Sequence, residues 1–283
     1  MDGREIAGAY DEWAASYDSD QNRTRDLDAQ VVREVLAGRR FDVVVELGCG
    51  TGKNTTFLAS LAGAVRAFDF SPGMLAIAAR KVTAANVAFA TADVTKSWPV
   101  AAGTADLVTF DLVLEHVEHL GPVLAEGARV LRPGGELFLC EFHPCRQYEG
   151  KQATFRRGDV VTPVCAFVHH ASDYLVAAAA AGLSLRELRE WWHADDTGRP
   201  PRLLSLRFTK TKASRITSDP GVLVGKPVIR GTRIAVELVL DHLARGWTVE
   251  QIGEQYPGIG RDEVLECCRY AAARIRGSPP TGT

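Results

Sequence analysis

A run of β-branched residues that ends in closely spaced glycines is the feature that most constrains how this chain can fold. Residues 43–45 are three consecutive valines, and Gly48, Gly50 and Gly52 follow soon after. The apolar run predicts a buried strand, and the glycine cluster predicts a tight turn before a helix. Because glycine carries no side chain, a ligand can lie directly against the backbone of this turn. The segment therefore predicts a strand and a ligand-binding loop of an α/β domain.

An acidic residue at the end of the next apolar stretch indicates the kind of ligand. Asp69 follows residues 64–68 and lies 21 positions after Gly48. At about this separation, the second strand of such a unit brings a carboxylate to the two hydroxyls of a ribose. The glycine spacing is G-x-G-x-G, whereas a dinucleotide site has G-x-G-x-x-G, so a dinucleotide is the less favoured ligand.

The composition allows one α/β core and a second, smaller module. The chain has 283 residues, of which 46% are hydrophobic and 24% charged, and its net charge is −2. This balance is ordinary for globular proteins and gives no overall reason to expect binding to nucleic acid or to an acidic membrane. No apolar stretch reaches the ~18 residues that span a bilayer, and the first residues do not resemble a signal peptide.

The six cysteines and the histidines indicate neither a disulfide scaffold nor a metal site. The cysteines show no C-x-x-C spacing, and the histidines and carboxylates lack ligand spacings such as H-x-x-x-H. We therefore expect a cytoplasmic protein with reduced thiols and no bound metal. Cys49, inside the glycine loop, is interpreted as a small filler rather than a nucleophile.

From residue 43 onwards, apolar runs and amphipathic patterns alternate at the period of βαβ units, which is typical of a parallel sheet. Strands are predicted at 43–47, 65–69, 87–91, 105–110, 135–141, 183–190 and 202–210. Helices are predicted at 52–61, 73–82, 121–131 and 171–182, and residues 1–40 have helical patterns as well. Residues 142–170 are predicted to be rich in loops and follow the end of a strand, where substrate contacts usually lie.

The composition changes after residue 210, which predicts a second module. Residues 1–210 form the predicted α/β domain, and 211–218 a short polar linker. Residues 219–276 begin with D-P-x-x-x-x-G-K-P-x-I-x-G-T-R-I and continue with three amphipathic patterns, which predict a small all-α domain. Residues 277–283 predict a flexible tail.

Several motifs between residues 10 and 210 occur in the order in which class I S-adenosylmethionine-dependent methyltransferases have them, and the chain resembles that family. They are Y-x-x-x-A-x-x-Y-D at 10–18, E-x-G-x-G-x-G at 46–52, F-D-F-S-P at 68–72, A-D-V at 92–94, L-E-H-V at 114–117 and R-V-L-R-P-G-G at 129–135. The resemblance implies a Rossmann-like sheet of seven strands with helices on both faces and an antiparallel seventh strand. It also implies S-adenosylmethionine as the cofactor.

The resemblance implies which residues bind that cofactor. The backbone of the glycine loop would hold its methionine end, Asp69 its ribose hydroxyls and Asp93 its adenine amine. The aromatic segment that contains Tyr17 would cover the cofactor, although an aromatic helix face packed on the core would have the same pattern. The implied cofactor-binding residues are Tyr17, Glu46, Gly48, Cys49, Gly50, Asp69, Phe70, Asp93, Val94 and Asp111.

His143, just past the fifth predicted strand, is the candidate for a general base. An acceptor that is a hydroxyl or a protonated amine needs a base, whereas a carboxylate or thiolate acceptor needs none. Histidine titrates near neutral pH, and from this position it could reach a substrate. The alternative is a histidine that hydrogen-bonds the backbone of its own loop. His169 and His170 could face the same cleft, but adjacent helical residues point about 100° apart, so both cannot serve one site.

Two features favour a small methyl acceptor over a nucleic-acid base. No N-P-P-Y or D-P-P-Y motif follows the fourth predicted strand, and the segments around residues 142–144, 169–174 and 190–192 resemble small-molecule methyltransferases related to quinone-biosynthesis enzymes. We therefore expect in-line transfer of a methyl group from S-adenosylmethionine to a small molecule, which leaves S-adenosylhomocysteine. The alternative is a regulatory protein that binds nucleic acid or a partner and uses the methyltransferase domain as a ligand sensor.

Residues 215–276 resemble a small bacterial family of unknown function that is often labelled antitoxin-like. Two of the predicted helices, near 248–256 and 261–275, could form a helix-turn-helix, which by resemblance implies binding to DNA. Residues 215–283 contain nine Lys and Arg against eight Asp and Glu and show no basic stripe. Contact with DNA and contact with a protein partner therefore both stay open.

Overall fold

The computed structural model describes residues 8, 10–14, 17–19, 21–157, 160–211 and 215–277, with the backbone alone over 155–162. The chain divides into two compact units, Met1–Thr211 and Lys212–Thr283. Apart from residue 277, the predicted flexible tail lies outside the described residues. In the part of the chain that is described, no helix is both long and apolar enough to cross a membrane.

The first unit contains nine strands within its described residues. They are β1 Phe41–Leu47, β2 Ala62–Asp69, β3 Val87–Thr91, β4 Ala105–Asp111, β5 Leu131–Phe142, β6 Thr154–Arg157, β7 Val160–Pro163, β8 Leu183–Trp191 and β9 Leu203–Lys210. Seven of them form one sheet in the order β3-β2-β1-β4-β5-β9-β8. Strands β1 to β5 run parallel, and β9 is antiparallel to both of its neighbours. This topology confirms the predicted Rossmann-like methyltransferase sheet.

Helices cover both faces of this sheet, as predicted. They are α1 Arg23–Leu36, α2 Thr55–Leu61, α3 Pro72–Lys81, α4 Leu120–Val130, α5 Pro144–Tyr148 and α6 Ala171–Ala180. Val44 faces a buried cluster that contains side chains of α1 and α2, whereas Val45 faces a cluster that contains side chains of α4 and α6. Strands buried on both faces explain why β1 and β4 are almost continuously apolar.

Two segments differ from the predicted elements for local reasons. The helix predicted from residue 52 begins only at Thr55, because Gly52 has a φ of +81° and cannot form part of an α-helix. The segment predicted to be rich in loops, 142–170, contains α5 and the antiparallel β6–β7 hairpin. Elements of four or five residues are too short for their periodicity to be recognised in a sequence.

The second unit combines three helices with a short pair of strands. Its elements are β10 Ile216–Thr217, β11 Val228–Ile229, α7 Val236–Ala244, α8 Val249–Gln255 and α9 Arg261–Ile275. The helices confirm the predicted helical domain, and the antiparallel β10–β11 pair is an addition to it. Ile216 and Ile229 of that pair are buried with Val239, Ile252 and Val264 from the helices, so strands and helices share one core.

Candidate active site

The glycine loop after β1 packs directly against the second and fourth strands. The amides of Gly48 and Cys49 both donate hydrogen bonds to the carbonyl of Phe68 in β2, at 2.7 and 3.0 Å. Gly48 has a φ of +72°, and a Cβ at this position would overlap the side chain of Val113, which follows β4. Glycine is therefore required here both for the backbone conformation and for the close approach of the two loops.

A cavity of about 690 Å3 lies where the carboxyl ends of these parallel strands meet. Its volume falls within the range of roughly 300–1,000 Å3 that is usual for small-molecule sites. Eight residues predicted to bind the cofactor line its wall, namely Tyr17, Gly48, Gly50, Asp69, Phe70, Asp93, Val94 and Asp111. The fold therefore brings together most of a set that spans almost one hundred positions of the sequence.

Asp69 is held in a fixed position at the end of β2. Its Oδ2 accepts a hydrogen bond from the amide of Gly50 at 2.8 Å, and its Oδ1 accepts one from the amide of Ser71 at 2.9 Å. The residue is only 7% exposed, and burial raises the pKa of its carboxyl above the usual value despite these two bonds. Because each carboxylate oxygen can accept a second hydrogen bond, the group remains able to bind two ligand hydroxyls.

Glu46 and Cys49, also predicted to bind the cofactor, do not line the cavity. Glu46 is buried in β1, where its Oε2 accepts a hydrogen bond from the hydroxyl of Thr55 at 2.7 Å. Burial raises the pKa of Glu46 to about 8 and raises the pKa of the Cys49 thiol well above its usual value. Both side chains are therefore packed beneath the loop whose backbone faces the cavity.

Asp111 is an acid of the cavity wall whose carboxylate oxygens are buried. Neither oxygen has a partner within hydrogen-bond geometry among the described residues, although the amide of Asn54 is near enough to lower the pKa of the carboxyl. The amide of nearby Asn54 donates instead to Asp28, at 2.8 Å. The pKa of Asp111 is raised well above its usual value. Burial is the largest cause, and repulsion from the carboxylates of Asp28 and Glu46 comes next. A buried carboxyl without a partner is costly, so this position favours a ligand that brings a donor or a positive charge.

His143, the predicted general base, lies away from the cavity and has both ring nitrogens occupied. Its Nδ1 accepts a hydrogen bond from the amide of Cys145 at 3.1 Å, which caps α5. Its Nε2 lies 3.1 Å from Oε1 of Glu190, and burial lowers the pKa of the ring. His143 is 5% exposed and does not line the described cavities. Its surroundings match the alternative role, that of a histidine bonded to the backbone of its own loop.

His116, which the sequence did not single out as a site residue, lines the cavity instead. Its Nδ1 lies 2.6 Å from the carbonyl oxygen of Cys165, so this nitrogen must carry a proton and donate it. Its Nε2 then accepts a hydrogen bond from the hydroxyl of Tyr10 at 2.8 Å. The only signal in the sequence was its place in the L-E-H-V motif. The direction of its ring depends on the 3₁₀ turn Leu114–His116, whose geometry no periodicity reveals.

Two protein-family models match this chain. Residues 45–139 match the model of a family described as a methyltransferase domain, and residues 216–271 match DUF433, a protein family of unknown function.

Two proteins of similar sequence are named as methyltransferases. One is a demethylmenaquinone methyltransferase of Mycolicibacterium vanbaalenii, which is 37% identical over 146 residues, or 50% of this chain and 61% of that protein. The other is an uncharacterized methyltransferase of Emericella nidulans, which is 28% identical over 225 residues, or 64% of this chain and 76% of that protein. The chain thus spans about three fifths of the first relative and three quarters of the second.

Solved structures show the same fold in the first unit. An S-adenosylmethionine-dependent methyltransferase from Mesorhizobium loti matches with a TM-score of 0.53 at 19% identity and covers 64% of this chain and 96% of its own. A complex of DhpI with S-adenosylhomocysteine matches with a TM-score of 0.57 at 24% identity. The match covers 74% of this chain and 96% of the DhpI chain. The first unit of this chain therefore has the fold of S-adenosylmethionine-dependent methyltransferases, residues 45–139 match the methyltransferase-domain family, and residues 216–271 match DUF433.

Proposed function

We propose that this protein transfers a methyl group from S-adenosylmethionine to a small-molecule acceptor and releases S-adenosylhomocysteine. The observation that carries the proposal is the 690 Å3 cavity, whose wall joins the Gly48 loop to the carboxylates of Asp69, Asp93 and Asp111. The name of the Mycolicibacterium vanbaalenii relative, a demethylmenaquinone methyltransferase, supports a small acceptor over a nucleic acid. We do not propose the regulatory alternative, since no observation on the described residues favours it.

Each part of the cofactor has a matching group in the wall of the cavity. Asp69, fixed by two backbone amides, would accept hydrogen bonds from the ribose hydroxyls, and Asp93 would accept one from the adenine amine. Asp111, whose oxygens have no hydrogen-bond partner among the described residues, would bind the positively charged methionine end. Once bound, S-adenosylmethionine supplies a methyl group that its sulfonium makes electrophilic.

The described residues that face the cavity provide a base as well as binding groups. His116 presents Nε2 towards the hydroxyl of Tyr10, and both residues line the cavity. We infer that His116 accepts the proton of the methyl acceptor, a role predicted for His143. Holding the acceptor in line with the methyl group can lower the barrier by several kcal/mol, and proton removal adds about 10²- to 10⁴-fold in rate.

Two further expectations stay predictions from the sequence. A cytoplasmic location rests on composition and on the six cysteines, all of which are free thiols. Contact of residues 219–276 with DNA or a protein partner rests on resemblance alone.

The proposal is tested by calorimetric titration with S-adenosylmethionine and with S-adenosylhomocysteine. We expect micromolar binding, with an affinity that falls at least about tenfold in Asp69→Ala, because two charge-assisted hydrogen bonds to the ribose are lost. Asp26→Ala is the matched control, since Asp26 is an exposed acid that pairs with Lys53. If the folded wild-type protein binds neither ligand, the proposed function is wrong.

A further inference from the structure

A second, smaller cavity of about 120 Å3 shares three wall residues with the larger one. The shared residues are Tyr10, Tyr17 and Leu112. A group bound in the smaller cavity would therefore lie beside the end of the larger cavity formed by these residues. Because the two cavities adjoin at these residues, they offer neighbouring places for a methyl acceptor and its methyl donor.

Leu112, between the two cavities, has an unusual backbone conformation. Its φ is 58°, in the left-handed region that a leucine rarely adopts, and its amide donates a hydrogen bond to the carbonyl of Cys140 at 2.8 Å. Backbone strain of this kind is concentrated at functional sites. At Leu112, the strained turn directs the chain from β4 into the segment that carries Glu115 and His116.

Glu115 lines the smaller cavity, and one oxygen of its carboxyl group lacks a hydrogen-bond partner among the described residues. Its side chain is 8% exposed, and its Oε2 is buried without a hydrogen bond to any described residue. Its Oε1 lies 3.9 Å from Nε2 of His116, which is too far for a hydrogen bond. Burial raises the pKa of this carboxyl above its usual value. A ligand that brings an N–H donor and a positive charge would remove this cost.

Aromatic rings form another side of the smaller cavity. The rings of Tyr10 and Trp13 are stacked with their centroids 5.8 Å apart, and Trp13 meets Tyr17 edge to face at 4.8 Å. Faces of such rings attract cations. The guanidinium of Arg25 already lies 3.9 Å from the centroid of Tyr17 and donates a hydrogen bond to the carbonyl of the same residue. Arg25 is thus engaged by Tyr17, whereas the carboxylate of Glu115 remains unsatisfied.

We propose that the smaller cavity binds the methyl acceptor as a small amine, with the nitrogen between the carboxylate of Glu115 and the ring of Tyr10. This inference rests on the proposed methyltransferase function and names its acceptor class. The size of the cavity limits the part of the acceptor that enters it. A volume of about 120 Å3 is smaller than the roughly 150 Å3 of a cavity that holds benzene, so the part of the amine enclosed there is smaller than a benzene ring.

The same residues account for the proton that an amine must lose. An ammonium bound at Glu115 cannot attack until it becomes neutral, and the hydroxyl of Tyr10 lies 2.8 Å from Nε2 of His116. One proton can thus pass through this hydroxyl to the imidazole. The lone pair of the nitrogen then forms the new N–C bond, while the electron pair of the broken S–C bond stays on sulfur. The product is a methylated ammonium, whose charge Glu115 again balances.

The test compares amines with alcohols of the same carbon skeleton. Ethylamine, isobutylamine and benzylamine are titrated into protein saturated with S-adenosylhomocysteine, and ethanol, isobutanol and benzyl alcohol are titrated in parallel. The titrations are repeated with Glu115→Gln and with the control Glu34→Gln, an exposed acid of α1 that pairs with Arg189. The affinity of every variant for S-adenosylhomocysteine is measured first, and this value also reports whether the variant is folded.

We expect at least one amine to bind the wild-type protein about tenfold or more tightly than its alcohol. Glu115→Gln should remove that difference and change the affinity for S-adenosylhomocysteine less than about twofold, whereas Glu34→Gln should behave like the wild type. If no amine binds more tightly than its alcohol to the wild-type complex, the amine site is wrong even though the proposed function stands. If the wild-type protein does not bind S-adenosylhomocysteine, the proposed function itself fails.

Discussion

His116 and His143 both follow a strand of the sheet, but their surroundings differ completely. His116 comes after β4, lines the large cavity and accepts a hydrogen bond from Tyr10. His143 comes after β5, caps α5 and lies within hydrogen-bond distance of Glu190. Position along the chain is therefore a poor guide to a general base. The direction of the ring and the partners of its two nitrogens decide whether a proton can be taken from a substrate.

This contrast makes the two histidines a matched pair for mutagenesis. We expect His116→Asn to lower kcat for an amine acceptor by about 10²-fold or more, because the proton acceptor is lost. His143→Ala should leave kcat nearly unchanged and lower the free energy of unfolding by about 1 kcal/mol, because the side chain that caps the helix is removed. Steady-state rates and urea unfolding of both variants provide the test. Equal losses of kcat would contradict the assignment.

The sequence could predict the cofactor side of the site more fully than the acceptor side. Gly48 and Asp69 are constrained by backbone geometry and by strand ends, which leave a spacing that can be read along the chain. The roles of Glu115 and His116 depend instead on a turn that follows the strained Leu112 and on contacts with Tyr10, more than one hundred positions away. No local pattern records contacts of this kind.

At the scale of elements, several strands and one helix bring like charges together beneath the cavity. Glu46 lies in β1, Asp111 ends β4, Glu141 lies in β5 and Asp28 lies in α1. Burial raises the pKa of all four carboxyls, to about 6 for Asp28 and about 8 for Glu46. Parallel pairing places the carboxyl ends of these strands at one edge, so the fold itself creates the repulsion.

This acid cluster should make the unliganded protein less stable as the pH rises. The folded-state pKa of Glu46 is about 8 against an ordinary value of 4.5, so the folded protein keeps a proton that the unfolded chain releases. The free energy of unfolding should therefore fall between about pH 4.5 and pH 8. In Glu46→Gln, which keeps an acceptor for Thr55, we expect that slope to be smaller by up to roughly 1.4 kcal/mol per pH unit.

Urea unfolding at several pH values between about 5 and 8 checks this expectation. Glu34→Gln is the control, because its carboxyl is exposed and should leave the wild-type slope unchanged. Parallel slopes for the wild type and Glu46→Gln would show that Glu46 loses its proton at an ordinary pH, which would contradict the predicted effect of burial.

The elements themselves were predictable in proportion to their length and burial. The long apolar strands β1, β4 and β5 could be recognised in the sequence, and their alternation with helices predicted a parallel sheet. Ser71 and Pro72 likewise predicted the start of α3. The hairpin β6–β7 and the pair β10–β11 could not be recognised, because strands of two to four residues are too short for a hydrophobic period to be recognised.

For the whole molecule, the net charge of −2 conceals a concentration of acids around the cavity. Asp69, Asp111 and Glu115 all line one of the two cavities, and burial raises the pKa of each of them. Binding of a positively charged ligand is therefore coupled to the loss of protons from these carboxyls. The affinity of such a ligand depends on pH even where the charge of the ligand does not change.

We accordingly expect the affinity for S-adenosylmethionine to rise with pH as these carboxyls lose their protons, together with net release of protons. The sign follows from linkage, because a cation lowers the pKa of carboxyls whose pKa is raised in the free protein. Calorimetry in two buffers with different heats of ionisation measures the protons released. Adenosine, which has no positive charge at neutral pH, is the matched control and should bind with little dependence on pH. An unchanged affinity for S-adenosylmethionine would contradict the expectation.

The close packing of Gly48 against Val113 has a consequence for how two ligands bind together. Because the side chain of Val113 occupies the space in which a Cβ at position 48 would lie, the two loops are in close contact, and a shift of one would act on the other. The loop after β1 faces the cofactor cavity, and the segment after Val113 carries the groups of the smaller cavity. Occupancy of the two cavities should thus be cooperative. By thermodynamic reciprocity, each ligand would change the affinity of the other by the same factor.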